Sequence, residues 1–317
     1  MEEAARALPR AGGVSAVVAY GSAVFDQVEA DGTAVKDDGR MLDLLVVVDD
    51  PVTWHKAAMR ERPQDYSSLP KLLGPRGVAS VQRNYGGAVW FNTDCSLGSS
   101  RAKYGVIGTQ DLVDDLEQWR WLYVAGRLQK PVKFLQSATS EALQNALRQN
   151  LASAFHTSLL LLPERFTDVE LFQTITSLSY SGDVRMGLAE NPHKVSNIVS
   201  GSLPYFHDLY GDLLGGQQAD TLFQHSVQSV LSSGTTDKVY VQNMDPEIRL
   251  KRLEAIPIKA TQGPNEGFLE PSQISNVLAQ RVASSSRAQT LKGLFSAGPV
   301  TALFYGLRKV GKRFLKP

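Results

Sequence analysis

Apolar runs rich in β-branched residues mark the first third of the chain. Residues 14–20 (VSAVVAY) and 41–48 (MLDLLVVV) are two such runs, and turn-forming residues flank both. Their composition predicts two buried strands, joined by a helical segment and a polar loop. GAVWFNTD (87–94) and AKYGVIG (102–108), which the Gly/Ser-rich stretch CSLGSS connects, predict a second strand pair. We therefore expect one small α/β domain over residues 14–108.

Helical spacing of apolar residues replaces this pattern from about residue 109. TQDLVDDLEQWRWLYVAG predicts a helix with Thr109 as its cap candidate. ATSEALQNALRQNLASAFHTSLLLLP predicts a second helix, which begins at a cap formed by Thr139 or Ser140 and ends at Pro163. DVELFQTITSLSYSG predicts a third helix, and the polar residues 211–275 contain one strand candidate, DKVYVQNM. The middle of the chain is therefore expected to be mostly helical.

Charge is nearly balanced overall but unevenly distributed. The net charge of +1 argues against a protein that is basic throughout, as many nucleic-acid-binding proteins are. No Asp or Glu follows Glu270, whereas eight Lys and Arg residues do. Within that stretch, VTALFYGLRKVGKRFLKP predicts a basic amphipathic helix near 299–316. We expect this helix to bind an anionic membrane surface, with docking on the chain's own domain as the alternative.

Three further features restrict the class of protein. The single cysteine, Cys95, excludes an internal disulfide framework and a thiolate zinc cluster. No stretch has the roughly eighteen consecutive apolar residues that a membrane-spanning helix requires. The first residues carry Glu2 and Glu3 and no apolar core, so they predict neither a secretory signal nor a typical transit peptide.

A Gly-Ser pair follows the first predicted strand. At a strand-to-helix junction, Gly21 and Ser22 can present backbone N–H groups and a hydroxyl to a polyphosphate, although an isolated pair more often forms a turn. Asp43 interrupts the next strand, where a buried carboxylate is costly unless it is paired or holds a cation. Side chains on one face of a strand recur every two residues, so Met41 and Leu45 share the face of Asp43. Only one carboxylate therefore lies on that face.

This arrangement resembles the nucleotidyltransferase superfamily. In that pattern a strand leads to Gly-Ser and a helix, and the next strand carries two acidic residues, spaced i and i+2, that bind Mg²⁺. Here the acidic pair is incomplete. Asp49 has the correct parity but lies six residues beyond Asp43, about 20 Å along a strand. We therefore expect Asp49 and Asp50 to be strand-end and turn residues rather than ligands of the same metal.

Longer motifs resemble one narrower family. They run in order from about residue 14 to residue 210 and resume near the C-terminus: AYGSAVF, MLDLLVVVDDPVTWH, LGPRGVASVQRNYGGAVWFN, KYGVI, WRWLYVAGRLQKPV, LSYSGDVRM and RAQTLKGLFSAG. Together they resemble the mitochondrial translocator assembly and maintenance family of peripheral CDP-diacylglycerol synthases (phosphatidate cytidylyltransferases). The resemblance implies transfer of CMP from CTP to phosphatidic acid, with release of pyrophosphate, for cardiolipin and phosphatidylglycerol synthesis. It also implies dependence on Mg²⁺, with Mn²⁺ or Co²⁺ as substitutes.

The same resemblance implies a domain plan and a location. We expect a nucleotidyltransferase-fold mixed-sheet domain over residues 1–115, with later segments added to it, and a mostly helical, winged-helix-like domain over 116–240. The C-terminal region, 241–317, contains the membrane-binding helix. The fold class is α/β, and the expected location is the matrix side of the mitochondrial inner membrane, as a peripheral protein.

Site residues are assigned within these motifs. Asp43 is the expected catalytic carboxylate and principal Mg²⁺ ligand, and Leu45 is taken as a family trait. Asp183 in SYSGDVRM is the candidate second carboxylate, with a helix cap as the alternative. The cations expected to neutralise phosphates, each with a structural ion pair as the alternative, are Lys103 (a catalytic candidate), Arg127, Lys130 and Arg185. The residues expected to hold the nucleotide, with turn or core roles as alternatives, are Tyr20, Gly21, Ser22, Asn84 and Tyr85.

Other roles and functions remain open at this point. The five histidines lack metal-ligand spacing, and His55 is expected to have a surface or capping role. One alternative function is a nucleotidyltransferase that acts on RNA or protein. The apolar stripe of the tail, which includes Leu303, Phe304 and Phe314, argues against nucleic acid as a partner. The other alternative is a non-enzymatic assembly factor of a membrane translocase.

Overall fold

A five-stranded mixed sheet organises the N-terminal half of the chain. The computed structural model describes residues 1–24, 41–183, 193–215, 225–232, 235–242, 245–257 and 271–297. The strands of this sheet are β1 (Val14–Tyr20), β2 (Leu42–Val48), β3 (Val89–Leu97), β4 (Ser100–Gly108) and β5 (Lys133–Gln136). Their order is β3-β4-β2-β1-β5, with β2 and β4 parallel and the other neighbours antiparallel. The predicted α/β class and the two predicted strand pairs are confirmed.

Helices surround this sheet, and a smaller sheet follows it. The helices before residue 180 are α1 (Glu2–Arg6), α2 (Pro51–Glu61), α3 (Ser68–Asn84), α4 (Thr109–Gln118), α5 (Ala125–Leu128), α6 (Glu141–Leu161) and α7 (Asp168–Ser177). The later helices are α8 (Lys194–Ser200), α9 (Leu203–Gly215), α10 (Pro246–Glu254) and α11 (Pro271–Ala297). Strands β6 (Arg165–Thr167), β8 (Thr235–Gln242) and β7 (His225–Ser232) form an antiparallel sheet in that order. None of the helices in these ranges is long and apolar enough to cross a membrane.

Strand β2 is buried on both faces, which explains its continuous apolar run. Leu44 and Val46 belong to the core cluster beneath α2 and α3. Leu45 and Val47 belong to a second cluster, which continues into the helices from α4 to α9. A strand covered on both sides has no polar face, so alternation disappears. Asp43 has the parity of Leu45 and therefore points toward the helical half of the molecule.

The predicted helix from residue 109 ends eight residues early. Helix α4 stops at Gln118, and Trp119 adopts a left-handed conformation with φ 47°. The buried carboxylate of Asp115 causes this break, because it accepts hydrogen bonds at 2.7 to 3.0 Å from four backbone N–H groups beyond the helix. These groups belong to Trp121, Leu122, Val124 and Ala125. Thr109 is also not the cap, since Gly108 holds that position and the Thr109 hydroxyl binds Asp49 instead.

The other predicted elements agree closely with the structure. Ser140 caps α6 through the Leu143 N–H, and the helix ends just before Pro163. Helix α7 begins at a capping box formed by Thr167 and Glu170. The helix expected between β1 and β2, the tail helix near 299–316 and Arg185 lie outside the described residues. The winged-helix-like character and the domain limits stay predictions.

Two later segments pack onto the first sheet. Strand β5 pairs with β1 at the sheet edge, as the expected addition of later segments requires. Helix α11 contacts both halves of the molecule: Gln289 Nε2 donates to the Val89 carbonyl of β3 at 3.3 Å, and Ser286 Oγ donates to Asp183 at 2.7 Å. The described part of the C-terminal region is therefore integrated with both the sheet and the helices.

Candidate active site

The turn after β1 and the start of β2 form the base of a cleft. Tyr20 lies opposite Asp43 in the antiparallel β1–β2 pair, and Asp43 lies beside Lys103 in the parallel β2–β4 pair. Gly21 has φ +84°, and a Cβ at this position would lie 3.2 Å from Asp43 Oδ2. Glycine is therefore favoured at this position for two reasons: the backbone is left-handed, and the carboxylate approaches closely. Asp43 is half-buried and Ser22 is exposed.

Segments distant in the sequence close the cleft above this base. Its volume is about 490 Å³, which lies within the range of small-molecule sites. The residues that line it are Tyr20, Gly21, Ser22, Asp43, Arg127, Lys130, Pro131, Val132, Tyr180, Lys194, Asn197, Ile198 and Ser202. Five of the residues assigned from the sequence to phosphate or nucleotide binding, together with Asp43, therefore lie around one space.

Three cations surround the aromatic rings of the cleft. The Arg127 guanidinium lies 4.4 Å from the centroid of the Tyr20 ring and 5.7 Å from that of Tyr123. Lys130 Nζ and Lys194 Nζ lie 5.1 and 5.5 Å from the centroid of the Tyr180 ring. Cation–π contacts of this kind orient the charges without neutralising them. Among the described residues, the lining thus combines three basic side chains with one carboxylate, Asp43.

The electrostatics of this cluster favour an anionic ligand. Burial, and then the charges of Arg127 and Lys194, hold the pKa of Lys130 well below its usual range. Burial also opposes the charge of Arg127, but Tyr20, Tyr123, Tyr180 and Asp43 outweigh it and raise the pKa of this guanidinium. Arg127 Nε is buried and has no hydrogen-bond partner in the described part of the chain. A polyphosphate would supply both the missing negative charge and acceptor oxygens.

A second cavity shows how specific this charge pattern is. It has a volume of about 370 Å³ and lies between the end of α6, α7 and the start of α11. Its lining contains Glu170 and no Lys or Arg among the described residues. Size alone therefore does not distinguish the two spaces, whereas the positive charge of the cleft at Asp43 suits phosphate groups.

Asp183 lies behind the cation cluster rather than along the main cleft. It is buried, and its carboxylate accepts the Ser286 hydroxyl at 2.7 Å. It lines a small cavity of about 40 Å³ whose walls also include Arg127, Lys130 and Tyr180. The role of Asp183 as a second metal ligand stays a prediction.

The remaining assigned residues lie farther from the cleft lining. Lys103 Nζ lies 4.3 Å from the centroid of the Phe91 ring, on the same face of the sheet as Asp43. Asn84 and Tyr85 lie at the end of α3, just before β3 begins at Val89. Val89 lies level with Val47, at the end of β2 that is remote from Asp43. Neither Asn84 nor Tyr85 lines the cleft, and we leave both out of the proposed site.

Comparisons with known proteins agree with this geometry. A family model described as phosphatidate cytidylyltransferase, mitochondrial, matches residues 4–268. The chain belongs to this family. It is 38% identical over 312 residues to the mitochondrial phosphatidate cytidylyltransferase of Rattus norvegicus, with 94% of this chain and 90% of the relative covered. The enzyme of that name from Schizosaccharomyces pombe is 33% identical over 325 residues, with 95% and 81% covered.

Membership of the mitochondrial phosphatidate cytidylyltransferase family confirms the resemblance seen in the motifs. It also favours the enzymatic interpretation over an assembly factor and over transfer to RNA or protein. Each relative named above carries the word mitochondrial in its name, which supports a mitochondrial protein.

The donor set at Asp43 is compatible with magnesium. In the described ranges no group of three or more His, Cys, Asp or Glu side chains could hold a metal ion by itself. Mg²⁺, however, commonly uses one or two carboxylates together with substrate phosphates and water. Asp43 beside an open, phosphate-sized cleft fits that requirement, with the nucleotide supplying further ligands.

Sequence reasoning missed Lys194 and Asn197 in the lining of the cleft. It also misplaced one histidine. Lys194 and Asn197 come from α8, and their i, i+3 spacing was the only local sign that they share a face. His55 is fully buried, not a surface or capping residue: Tyr66 Oη lies 2.7 Å from its Nδ1 and Gln82 Oε1 lies 2.8 Å from its Nε2. Burial lowers the pKa of His55 to about 4, so this residue is neutral near pH 7.

Proposed function

We propose that this protein transfers CMP from CTP to phosphatidic acid, forming CDP-diacylglycerol and releasing pyrophosphate, on the matrix side of the mitochondrial inner membrane. The observation that carries the proposal is the cleft in which Asp43 faces Arg127, Lys130 and Lys194. Both substrates are phosphate compounds, and membership of the family adds the identity of the reaction. The product would enter cardiolipin and phosphatidylglycerol synthesis.

The acceptor explains why one carboxylate is sufficient. A phosphate monoester has a second pKa near 6, so phosphatidate is already ionised at neutral pH. Its oxygen can attack the α-phosphorus of CTP without a strong general base, unlike a sugar or protein hydroxyl. The main need is to hold two repelling phosphate groups in line while charge develops.

The residues of the cleft are suited to that task. Gly21 leaves room for phosphate oxygens beside Asp43, and the exposed Ser22 hydroxyl can donate a hydrogen bond to them. The Arg127 guanidinium, held against Tyr20, can bind a phosphate group through two parallel hydrogen bonds. Lys130 and Lys194 act as point charges on the Tyr180 side of the cleft. Their mutual repulsion is relieved when an anion binds between them.

Asp43 would hold the divalent cation, Mg²⁺ with Mn²⁺ or Co²⁺ as substitutes. When bound, such an ion supplies electrostatic stabilisation of the phosphates and of the pyrophosphate leaving group. Asp183, behind Arg127 and Lys130, remains the candidate for a second carboxylate. Lys103, beside Asp43 on the neighbouring strand, remains a candidate for neutralising a phosphate group.

A radiolabelled CTP assay with dispersed short-chain phosphatidate tests the proposal. We expect Mg²⁺-dependent formation of labelled CDP-diacylglycerol by the wild type and near-complete loss in Asp43→Asn. Asp94→Asn is the matched control, because Asp94 is an exposed carboxylate of the same sheet that pairs with Arg101 at the protein surface. Unchanged turnover in Asp43→Asn would refute the site. Labelling of RNA or protein instead of lipid would refute the substrate.

A further inference from the structure

Five exposed leucines lie where α3 begins and α11 ends. Leu72 is 83% exposed, Leu291 67% and Leu294 50%, and Leu69 and Leu73 are also exposed. These five residues, here called the leucine patch, are half of the ten large apolar side chains that are exposed in the described part of the chain. Single exposed leucines are ordinary, but a concentrated group of them commonly marks an interaction surface.

Contacts between the two helices bring these leucines together. Ser67 Oγ, just before α3, donates to the Ser296 carbonyl of α11 at 2.9 Å. Leu69, Leu72 and Leu73 have the i, i+3, i+4 spacing of one helix face, and Leu291 and Leu294 are also three apart.

Internal contacts hold the α11 part of the patch against the rest of the protein. Lys292 Nζ donates to the Gln82 carbonyl at 3.1 Å, and the ring of Phe295 packs edge-on against Trp90 at 6.4 Å. The inner face of α11 is therefore satisfied by the protein itself. Its outer face, with Leu291 and Leu294, is left to solvent or to a partner.

Basic side chains are exposed beside the patch. Lys71, Arg76 and Arg287 are exposed on the same two helices. The sequence contains no Asp or Glu from residue 66 to residue 93, and none after Glu270. An apolar surface flanked by exposed cations is complementary to a bilayer with anionic headgroups, whose lipid tails accept leucine while its phosphates attract the cations.

We propose that the leucine patch inserts into the surface of an anionic lipid bilayer, as a membrane contact on the folded body of the protein. The basic tail that follows α11 carries charge of the same sign as Lys71, Arg76 and Arg287 beside the patch, so these side chains repel the tail, whereas an anionic membrane attracts both. The tail sequence directly follows the described part of α11, which reaches Ala297. Two weak contacts together give stable but reversible anchoring, where one alone is marginal.

The patch also gives the bound enzyme a defined orientation. Ser286, which contacts Asp183 behind the cation cluster, lies ten residues before Ser296, or about 15 Å along the helix. A rigid helix therefore connects the membrane contact to the rear of the cleft.

Vesicle flotation of the full chain tests the proposal. The vesicles contain phosphatidylcholine with or without phosphatidylglycerol, an anionic lipid that lacks the phosphate monoester of the proposed substrate. We expect the double variant L72S/L294S to bind the anionic vesicles about tenfold more weakly than the wild type, because two leucines no longer leave water. Leu250→Ser is the control, because Leu250 is 45% exposed on α10, outside the patch. It should bind like the wild type.

The other occupants of the patch are distinguished in the same series. Wild-type binding by L72S/L294S, with an unchanged melting temperature, would overturn the proposal, as would an equal loss in Leu250→Ser. Sedimentation showing a wild-type dimer that the double variant dissociates would assign the patch to a second copy instead. Stronger vesicle binding after removal of residues 299–317 would show that the tail covers the patch. Because the measurement needs neither CTP nor turnover, failure of this proposal and failure of the proposed reaction can be told apart.

Discussion

The two ends of β2 carry the same residue type in opposite circumstances. At the carboxyl end, Asp49 Oδ1 accepts hydroxyl hydrogen bonds from Ser15 and Thr109, each at 2.6 Å. The next residue, Asp50, caps α2 through the N–H groups of Val52 and Thr53. At the amino end, Asp43 lies beside a left-handed glycine and faces an open cleft with three cations.

The difference separates carboxylates that stabilise the fold from the one that we propose takes part in the reaction. The side-chain and backbone hydrogen bonds of Thr53 hold the pKa of Asp50 below its usual value, so this carboxylate stabilises the helix start. Around Asp43, the described lining of the cleft instead brings together three basic side chains, Arg127, Lys130 and Lys194. That arrangement costs stability in the free protein and is relieved by an anionic substrate.

Replacing the carboxylate at one end of β2 should affect turnover, and replacing that at the other end should affect stability. The loss of turnover is the largest effect that we expect. Asp43→Asn should lower kcat by about 10³-fold, because the carboxylate that would hold the divalent cation at the reacting phosphates is lost, with little change in melting temperature. Asp49→Asn should lower the melting temperature while the folded fraction keeps its turnover. Steady-state kinetics and thermal unfolding of both variants provide the check. If both variants lost turnover at equal stability, the two ends of β2 would not differ in function.

Lys130→Met should separate function from stability inside the cleft. Removing this buried charge should reduce kcat/KM by about 10²-fold, since one phosphate donor is lost. The melting temperature of the free protein should fall little, because repulsion by Arg127 and Lys194 also disappears. Pyrophosphate should raise the melting temperature of the wild type but hardly that of the variant. An equal response of both proteins to pyrophosphate would place the anion elsewhere.

The pH dependence of pyrophosphate binding sharpens the same point. Without ligand, the pKa of Lys130 lies well below the ordinary 10.5, and a bound anion raises it, so binding takes up a proton between the lowered value and 10.5. Affinity should therefore fall as pH rises through this window, by at most about tenfold per pH unit. Because the unfolded chain binds more protons there, the free protein should gain stability over the same interval. Calorimetry in buffers of different ionisation heat measures the proton uptake, which Lys130→Met should abolish.

A smaller effect is expected at the residue that sequence reasoning missed. Lys194→Ala should weaken binding of pyrophosphate and raise KM by about tenfold, the value of one hydrogen bond to a charged group, with a minor change in kcat. Lys238→Ala, on β8 outside the cleft lining, is a surface control. Unchanged KM in Lys194→Ala would remove α8 from the site.

The smallest effect is expected at the structural end of β2. Asp50→Ala removes the cap of α2 and should destabilise the protein by about 1 kcal/mol. For a chain of this size that corresponds to a melting temperature roughly 2 °C lower. Turnover per folded molecule should stay at the wild-type level. A large loss of activity would mean that the two ends of β2 are coupled.

Sequence reasoning was most successful where the physical cause is local. The β-branched runs predicted β1 and β2, Ser140 predicted the start of α6, and a lone carboxylate in an apolar strand pointed to Asp43. Each of these depends on a propensity, a cap or a desolvation cost that acts within a few residues. The long family motifs added the reaction, which no local pattern contains.

Several features depended on contacts between distant segments. Helix α4 ends at Gln118 because Asp115 is buried against the loop that follows, and His55 is buried because Tyr66 and Gln82 complete its hydrogen bonds. The local sequence around these residues does not indicate which distant segments will bury them. Propensity accordingly favoured a longer helix and a surface histidine.

By itself, then, the sequence determined the strands, the Ser140 cap, the Gly21–Ser22 turn and the family. Only the tertiary structure decided that Lys194 joins Arg127 and Lys130, that Asn84 and Tyr85 lie toward the other end of the sheet, and that five leucines of two helices form one exposed patch. The physical reason is the distance along the chain over which each effect acts. Backbone preferences and side-chain periodicity act over a few residues, whereas the meeting of helix faces is decided by burial summed over the whole chain.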